Sequence, residues 1–347
     1  MSEHDPDPGR RRRERYPGTH PRRFEQKYKE LDPARYPEMA EHVRARGQTP
    51  AGQHVPILVE DVLAHLDPKP GERGVDCTLG WGGHAQRVLE RIAPGGALLA
   101  LDVDPIEFER STARLRCVCP ASVSLEARRT NFAGLAKALA EVGWHDGADF
   151  VLADLGLSSM QIDDPARGFS FKVDAPLDLR LNPRRSPSGA EWLARADAGE
   201  LERALRESAD EPRAQSIARA LSERRGSIRT TLELASAVRA ALPEHLDESE
   251  RELAVRRAFQ AVRIAVNGEL EALDELLRQL PDALRPGGRA VVLTFHSGED
   301  RRVKLAFKRG LTEGRYASIS SDVVRAGPAE QRNNPRSSPA KLRWARK

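Results

Sequence analysis

Apolar and polar positions follow two regimes along this chain. From His54, HVPILVEDVLAHL carries apolar residues at helical spacing, and GVDCTLG then gives a short buried strand running into glycines. The pattern continues with a helix from His84 to about Ile92, a strand ALLALDVD, a helix from Ile106 to Leu115, a strand SVSLEA, a helix from Gly134 to Val142 and a strand ADFVLADL. This alternation of strands and helices predicts a parallel, doubly wound α/β sheet covered on both faces. After Leu157 the strand pattern stops. Residues 163–253 show helical stretches such as GAEWLARA, LERALRE and AQSIARALSERR, and Thr230 with Glu233 reads as a capping box opening another helix. A long helix is predicted from about Ala254 to Leu280, followed by a returning core strand in RPGGRAVVLTFHS. The expected organisation is therefore one α/β domain, residues 51–162 and 254–347, interrupted by an all-helical insertion over 163–253. Residues 1–50, rich in Arg, Pro and Glu with little apolar periodicity, read as a basic, disordered extension.

Composition adds little to this except through the distribution of charge. The 347 residues are 39% hydrophobic and 31% charged, as in an ordinary globular protein. No apolar run approaches the roughly 18 residues of a membrane span, and MSEHDPDPGRRRRERY lacks the apolar stretch of a secretory signal, so a cytoplasmic protein without membrane contact is expected. The three cysteines, Cys77, Cys117 and Cys119, lack zinc-ligand spacing and read as reduced thiols, and no metal site is expected. Net charge is +4, yet residues 301–347 hold thirteen Lys/Arg against three Asp/Glu, so residues 1–300 together carry −6. The cationic segment NNPRSSPAKLRWARK and the arginine-rich start are where a polyanion would be met.

Candidate chemistry sits at strand ends. Asp76-Cys-Thr-Leu-Gly80-Trp-Gly82-Gly83-His84 lies where the first strand turns into a helix, and residues without side chains there let a ligand approach the backbone and the helix N-terminus. About twenty residues on, Asp102 ends the second strand, where a carboxylate accepts hydrogen bonds from ribose hydroxyls. The spacing departs from the dinucleotide pattern and no phosphate loop is present. S-adenosylmethionine, with ribose and adenine but no phosphate, fits. Phe132 is placed to pack on the adenine or to begin a helix in the core, and His84 to meet the cofactor's amino-acid end or to cap its helix.

The fourth strand ends in Asp154-Leu-Gly156-Leu-Ser158-Ser159-Met-Gln161, facing the reacting group in such a sheet. Methyl transfer depends on holding donor and acceptor in near-attack geometry. Asp154 is the candidate acceptor for an N–H of a weakly nucleophilic exocyclic amine, or a holder of the cofactor. Arg167, Phe169, Phe171 and Arg180 follow in a stretch offering stacking surfaces and edge-reading groups for an extruded base, or anchors onto the core. Arg256, Gln260, Arg263 and Asn267 form a polar stripe at helical spacing, and His296 and Ser297 end the returning strand.

These blocks, HVPILVEDVL, DCTLGWGGHA, LALDVDP, ADLGLSSMQIDDPARGFSF, PLDLRLNP, RAFQAVRIAVNGEL, PGGRAVVLTFHSGEDRRVK and NPRSSPAKLR, resemble in order the bacterial RsmH/MraW-type ribosomal RNA cytosine-N4 methyltransferases. The resemblance implies a Rossmann-like methyltransferase domain with an inserted helical domain that handles RNA. It implies methylation of the exocyclic N4 of a cytidine in the decoding centre of 16S rRNA, cytidine 1402, with the small ribosomal subunit as partner. It also implies cofactor contacts at Gly82, Gly83, His84, Asp102, Phe132, Asp154 and Gln161, with substrate contacts sought at Ser158, Ser159, Arg167, Phe169, Phe171, Arg180, Arg263, Asn267, His296 and Ser297. The chain departs from the family at Ala85 (usually Ser), at Gly298 (usually Leu) and in LDLRL (usually LDMRM), and its N-terminal arm reads as an addition. Three rival readings remain: a DNA amino-methyltransferase, which would be expected to carry a [DNS]-P-P-[YFW] segment where DLGLSS stands; a non-catalytic RNA-binding assembly factor; and a nicotinamide-dependent oxidoreductase.

Overall fold

A computed structural model describes residues 56–347 of the chain, and the expected N-terminal extension lies outside the described residues. Helix α1 (Val59–Leu66) precedes β1 (Arg73–Asp76), α2 (Gly83–Ile92), β2 (Ala97–Asp102), α3 (Pro105–Val118) and β3 (Ser124–Arg129). A short 3-10 turn (Phe132–Gly134) and α4 (Leu135–Glu141) lead to β4 (Ala148–Asp154) and the short α5 (Ser159–Asp163). A helical stretch follows: α6 (Gly189–Arg195), α7 (Ala198–Ala209), α8 (Ala214–Glu223), α9 (Thr231–Ala240) and α10 (Glu248–Asn267). The chain returns through α11 (Glu269–Ala283), β5 (Leu284–Thr294), α12 (Ser297–Thr312), β6 (Ser318–Ile319), α13 (Pro328–Asn333) and β7 (Lys341–Arg346).

The sheet has seven strands in the order β3-β2-β1-β4-β5-β7-β6, with β1 to β5 parallel and β7 antiparallel to both neighbours. It is a Rossmann-like doubly wound α/β fold, as the alternation predicted. Strand period two divides its core. Val75, Leu99, Leu101, Val151, Ala153 and Val292 face α4, α11 and α12, whereas Leu98, Ala100, Phe150, Leu152, Val291 and Leu293 face α1, α2 and α3.

Helices α6 to α10 pack around a separate apolar core that includes Leu193, Leu205, Ile217, Leu221, Leu234, Val238, Val255 and Phe259. Thr230 caps α9 with the reciprocal Glu233 bond predicted from sequence. Two expectations are corrected here. The long helix from 254 to 280 is two helices, because Gly268 takes the left-handed region at φ 59° and its N–H caps Ile264 O. The boundary expected at 253 therefore falls inside α10, whose Ala254, Val255, Ala258, Phe259, Ala261, Val262 and Val266 belong to the helical core.

The second correction concerns the cationic C-terminus. KLRWAR is a strand paired with β5 along its whole length. Its Arg343 is buried with Nε 2.6 Å from Asp300 Oδ1, and Lys341 Nζ lies 3.4 Å from Asp300 Oδ2. Part of the charge assigned to a polyanion is thus spent inside the fold. Among the described residues no helix is long and apolar enough to cross a membrane.

Candidate active site

Between β1 and β4 the strand order reverses, which leaves a crevice beyond the carboxyl ends of the strands. A cavity of about 600 Å³ occupies that place. Its first wall is the turn from β1 into α2. Gly82 is the N-cap of α2 with φ 78°, and a Cβ there would stand 3.0 Å from Leu115 Cδ1. A side chain is strained in this backbone region, so glycine lets the turn close around the cavity and present the start of α2 to it.

The β2 tip is locked to that turn. Asp102 accepts from the Gly80 N–H through Oδ2 at 2.7 Å and from the Asp104 N–H through Oδ1 at 2.8 Å. The β4 tip is joined too, because the Asp154 N–H donates to Thr78 Oγ1 at 2.6 Å. Three neighbouring strands thus bring Asp76, Asp102 and Asp154 toward one space.

Their electrostatics point to a cation. Burial pushes the Asp76 carboxyl up to about 6, opposed by the Thr78 N–H and by His84, while the charges of Asp154 and Asp102 raise it further. Burial likewise pushes Asp102 up to about 6, against the amides of Asp104 and Gly80. Such a cluster favours a positively charged ligand and repels pyrophosphate. His84 Nε2 lies 3.5 Å from Asp154 Oδ2, and both His84 ring nitrogens and Asp154 Oδ1 are buried without a hydrogen-bond partner. Buried polar atoms are nearly always paired. These three mark where polar groups of a ligand belong.

The opposite wall is built by residues further along the chain. Ser158 and Gln161 form the capping box of α5, with Ser158 N donating to Gln161 Oε1 at 2.8 Å. Arg263 reaches the cavity from α10 while held by Glu269 at 2.9 and 2.8 Å. Burial alone would lower the Arg263 pKa, but the charges of Glu269 and Glu299 raise it on balance. His296 lines the cavity as the N-cap of α12, its Nε2 3.1 Å from Glu299 Oε1. Asn334, Pro335, Arg336 and Pro339 close the rim, with Arg336 tied to Asp163 at 3.0 Å.

The structure therefore brings Gly82, Gly83, His84, Asp102, Phe132, Asp154 and Gln161 to one cavity, together with Ser158, Arg263 and His296. Arg167, Phe169, Phe171, Arg180, Asn267 and Ser297, also singled out as substrate contacts, stand outside its lining. Arg167 is buried, its guanidinium bonded to Asp104 and to the carbonyls of Arg180 and Leu181. Phe169 and Phe171 pack on the helical core, Phe171 with its ring 5.3 Å from that of Phe259. Arg180 forks onto Asp178 at 2.9 and 2.6 Å. Asn267 bridges Leu179 O and Leu181 N. Ser297 is bonded to Asp210, and Ser159 is the first residue of α5. The side chains of Arg167, Phe169, Phe171, Arg180 and Asn267 are used to shape the loop, for the ordinary reason that an irregular segment must pair its backbone and bury its aromatics.

Sequence reasoning gave no role to Thr78 or Asp104, and it read Asn334 to Pro339 as part of a cationic segment for a polyanion and not as a cavity rim. Asp104 carried a readable signal, since a proline directly after an acidic residue marks a helix start. Among the described residues no group of His, Cys, Asp or Glu is arranged to hold a metal ion.

Comparison with known proteins gives a consistent result. The model of the MraW methylase family matches residues 51–347. Ribosomal RNA small subunit methyltransferase H 1 of Agathobacter rectalis is 46% identical over 342 residues, covering 96% of this chain and 97% of its own. Its namesake in Lachnoclostridium phytofermentans is 45% identical over 345 residues, covering 98% and 93%. Ribosomal RNA small subunit methyltransferase H of Acidobacterium capsulatum is 40% identical over 300 residues, covering 85% and 98%. The N-terminal arm is accordingly shared with some relatives, where the sequence alone presented it as an addition.

Proposed function

Because the chain belongs to the MraW methylase family and uses S-adenosylmethionine, we propose that it methylates the exocyclic N4 of a cytidine in the decoding centre of 16S rRNA, cytidine 1402. The observation that carries the reading is the one cavity shared by the β1, β2 and β4 tips and the α5 to α10 side, with unpartnered His84 and Asp154 atoms inside it. Family membership disposes of the nicotinamide reading, and the relatives' names supply the ribosomal substrate.

The residues fit the cofactor. Asp102 would accept from the ribose hydroxyls, Phe132 would pack on the adenine, and Gly82, Gly83 and His84 would meet the amino-acid end. Gln161 is held at the boundary between the two walls. Bound S-adenosylmethionine supplies an electrophilic sulfonium methyl, and the aspartate cluster is of the sign that welcomes its positive charge.

On the acceptor side, the cytosine amine is a weak nucleophile because its lone pair is shared with the ring. Asp154 Oδ1, buried and unpartnered, accepts an amine N–H, returns electron density to the nitrogen and fixes its direction of attack. Ser158, Arg263 and His296 read the edge and phosphate side of a nucleotide drawn out of its stack. The helical core over α6 to α10, extended through Asn267, serves as the RNA-facing part. With a ribosomal substrate the enzyme works in the cytoplasm.

The deciding experiment is methyl transfer from labelled cofactor onto small ribosomal subunits of a strain lacking this gene, with the nucleoside identified by mass spectrometry. N4-methylcytidine is expected. A 5-methyl or 2′-O-methyl product would overturn the acceptor assignment.

A further inference from the structure

We propose that the buried Asp104–Arg167 pair is a positioning element that couples the donor wall of the cavity to its acceptor wall, so that occupancy of one is felt at the other. The proposal rests on the functional reading above for which wall receives which ligand.

Asp104 has no exposed side-chain surface, and both carboxylate oxygens are fully used. Oδ1 caps α3 by accepting from the N–H groups of Ile106 at 2.9 Å and Glu107 at 3.4 Å. Oδ2 accepts from Gln161 Nε2 at 2.7 Å and lies 2.8 Å from Arg167 Nη2. The Asp104 backbone N–H itself goes to Asp102. One residue thus joins the tip that would hold the ribose to two arms reaching the other wall.

The first arm is Gln161, whose Oε1 receives the Ser158 N–H. The second is Arg167, which donates to the carbonyls of Arg180 at 3.0 Å and Leu181 at 3.2 Å and whose own carbonyl receives the Leu179 N–H. Asn267 grips the same strip from α10, through Leu179 O and Leu181 N. Ser158 and Leu181 line the cavity, whereas Asp104 and Arg167 do not. Both members of the pair therefore act through others.

Stability alone does not account for the arrangement, because a buried ion pair is often no better than an apolar replacement of equal volume. What it offers is geometry. One guanidinium nitrogen, Nη2, meets Asp104 Oδ2 and the carbonyls of Arg180 and Leu181 together, and the rigid planar head sets where that nitrogen stands, which the flexible stem of a lysine does not. Ordering Asp102 around a ligand would hold Asp104, and through it the 177–181 strip. By linkage, ordering that strip around RNA would tighten the donor site equally.

Two measurements test this. In the parent enzyme, hydrogen exchange at 177–181 should slow when S-adenosylhomocysteine is added without RNA. Protection at 80–84 but not at 177–181 overturns the coupling and leaves the functional reading standing. Failure of S-adenosylhomocysteine to bind at all sinks both. In Arg167→Lys, the mutual tightening between S-adenosylhomocysteine and small subunits, expected at about 5- to 150-fold in the parent, should fall to about twofold or less. Affinity for S-adenosylhomocysteine alone should stay near the parent value while KM for subunits rises. A coupling factor unchanged in Arg167→Lys overturns the proposal.

Discussion

His84 and Asp154 meet with Nε2 and Oδ2 3.5 Å apart, one from the start of α2 and the other from the tip of β4. Neither is satisfied by the protein: both ring nitrogens and Asp154 Oδ1 lack hydrogen-bond partners. The fold holds two unlike polar groups side by side with hydrogen-bonding capacity left over.

Asp154→Asn keeps the shape and removes the charge. Turnover is expected to fall about 10²-fold or more. Melting temperature should hold or rise, because the buried Asp76 loses a like-charged neighbour. Single-turnover methyl transfer beside a thermal melt separates the two effects, and parent-like turnover would remove Asp154 from the chemistry.

Cofactor affinity should depend on pH through Asp102. Burial pushes its carboxyl up to about 6, against an ordinary value of 3.8, and it accepts most strongly from ribose hydroxyls when ionised. Affinity for S-adenosylmethionine is therefore expected to be level above about pH 7 and to weaken as pH falls through about 6. The sign for the free protein is opposite. The folded state binds the extra proton between 3.8 and 6, so this group's contribution to stability declines as pH rises through that window. Titration calorimetry should show a weaker, shallower profile for Asp102→Asn, and a parent-like profile in that variant would refute the assignment.

Two glycines in the left-handed region separate strain from function. Gly268→Ala meets nothing closer than Glu271 Oε2 at 3.8 Å, whereas Gly82→Ala would also crowd Leu115 at 3.0 Å. Each should lose about 1–2 kcal/mol through backbone strain. Only Gly82→Ala should also weaken cofactor binding, as read by melting curves with and without S-adenosylhomocysteine.

Basic side chains spent inside the C-terminal strand can be told apart from exposed ones elsewhere by the salt dependence of binding. Burial would raise the Asp300 carboxyl, but the hydrogen bond and charge of Arg343, with Lys341, hold it below the usual carboxylate range. Arg343→Leu should destabilise by about 3 kcal/mol and leave the salt dependence of subunit binding unchanged. Arg184→Gln and Arg185→Gln alter exposed cations next to the cavity-lining Leu181. Each should lower the salt slope by about one. A slope that drops in Arg343→Leu instead would return the C-terminal strand to the RNA interface.

The sheet was readable because β1, β2 and β4 carry apolar residues on both faces and alternate with helices. The glycine turn, Asp102 and Asp154 were readable for a related reason, since parallel strands put their carboxyl ends on one edge. The break at Gly268 was not, because the helical pattern runs on unbroken through it. β7 escaped notice because KLRWAR holds three cations in six residues, and its Arg343 is buried only through Asp300, some forty positions away. Arg167, Phe169, Phe171 and Arg180 were legible as unusual but not as to use. Whether such residues face a ligand or fasten a loop depends on partners from distant segments such as Asp104 and Phe259.

β7 lies between β5 and β6 and pairs with both, and the turn leading into it supplies the cavity rim from Asn334 to Pro339. During synthesis the parallel part of the sheet can assemble early, N-terminal elements first, but the gap beside β5 stays open until Arg346 has emerged. A nascent or truncated product ending before that point has an unfinished sheet and an unwalled cavity together, and is expected to lack methyl transfer.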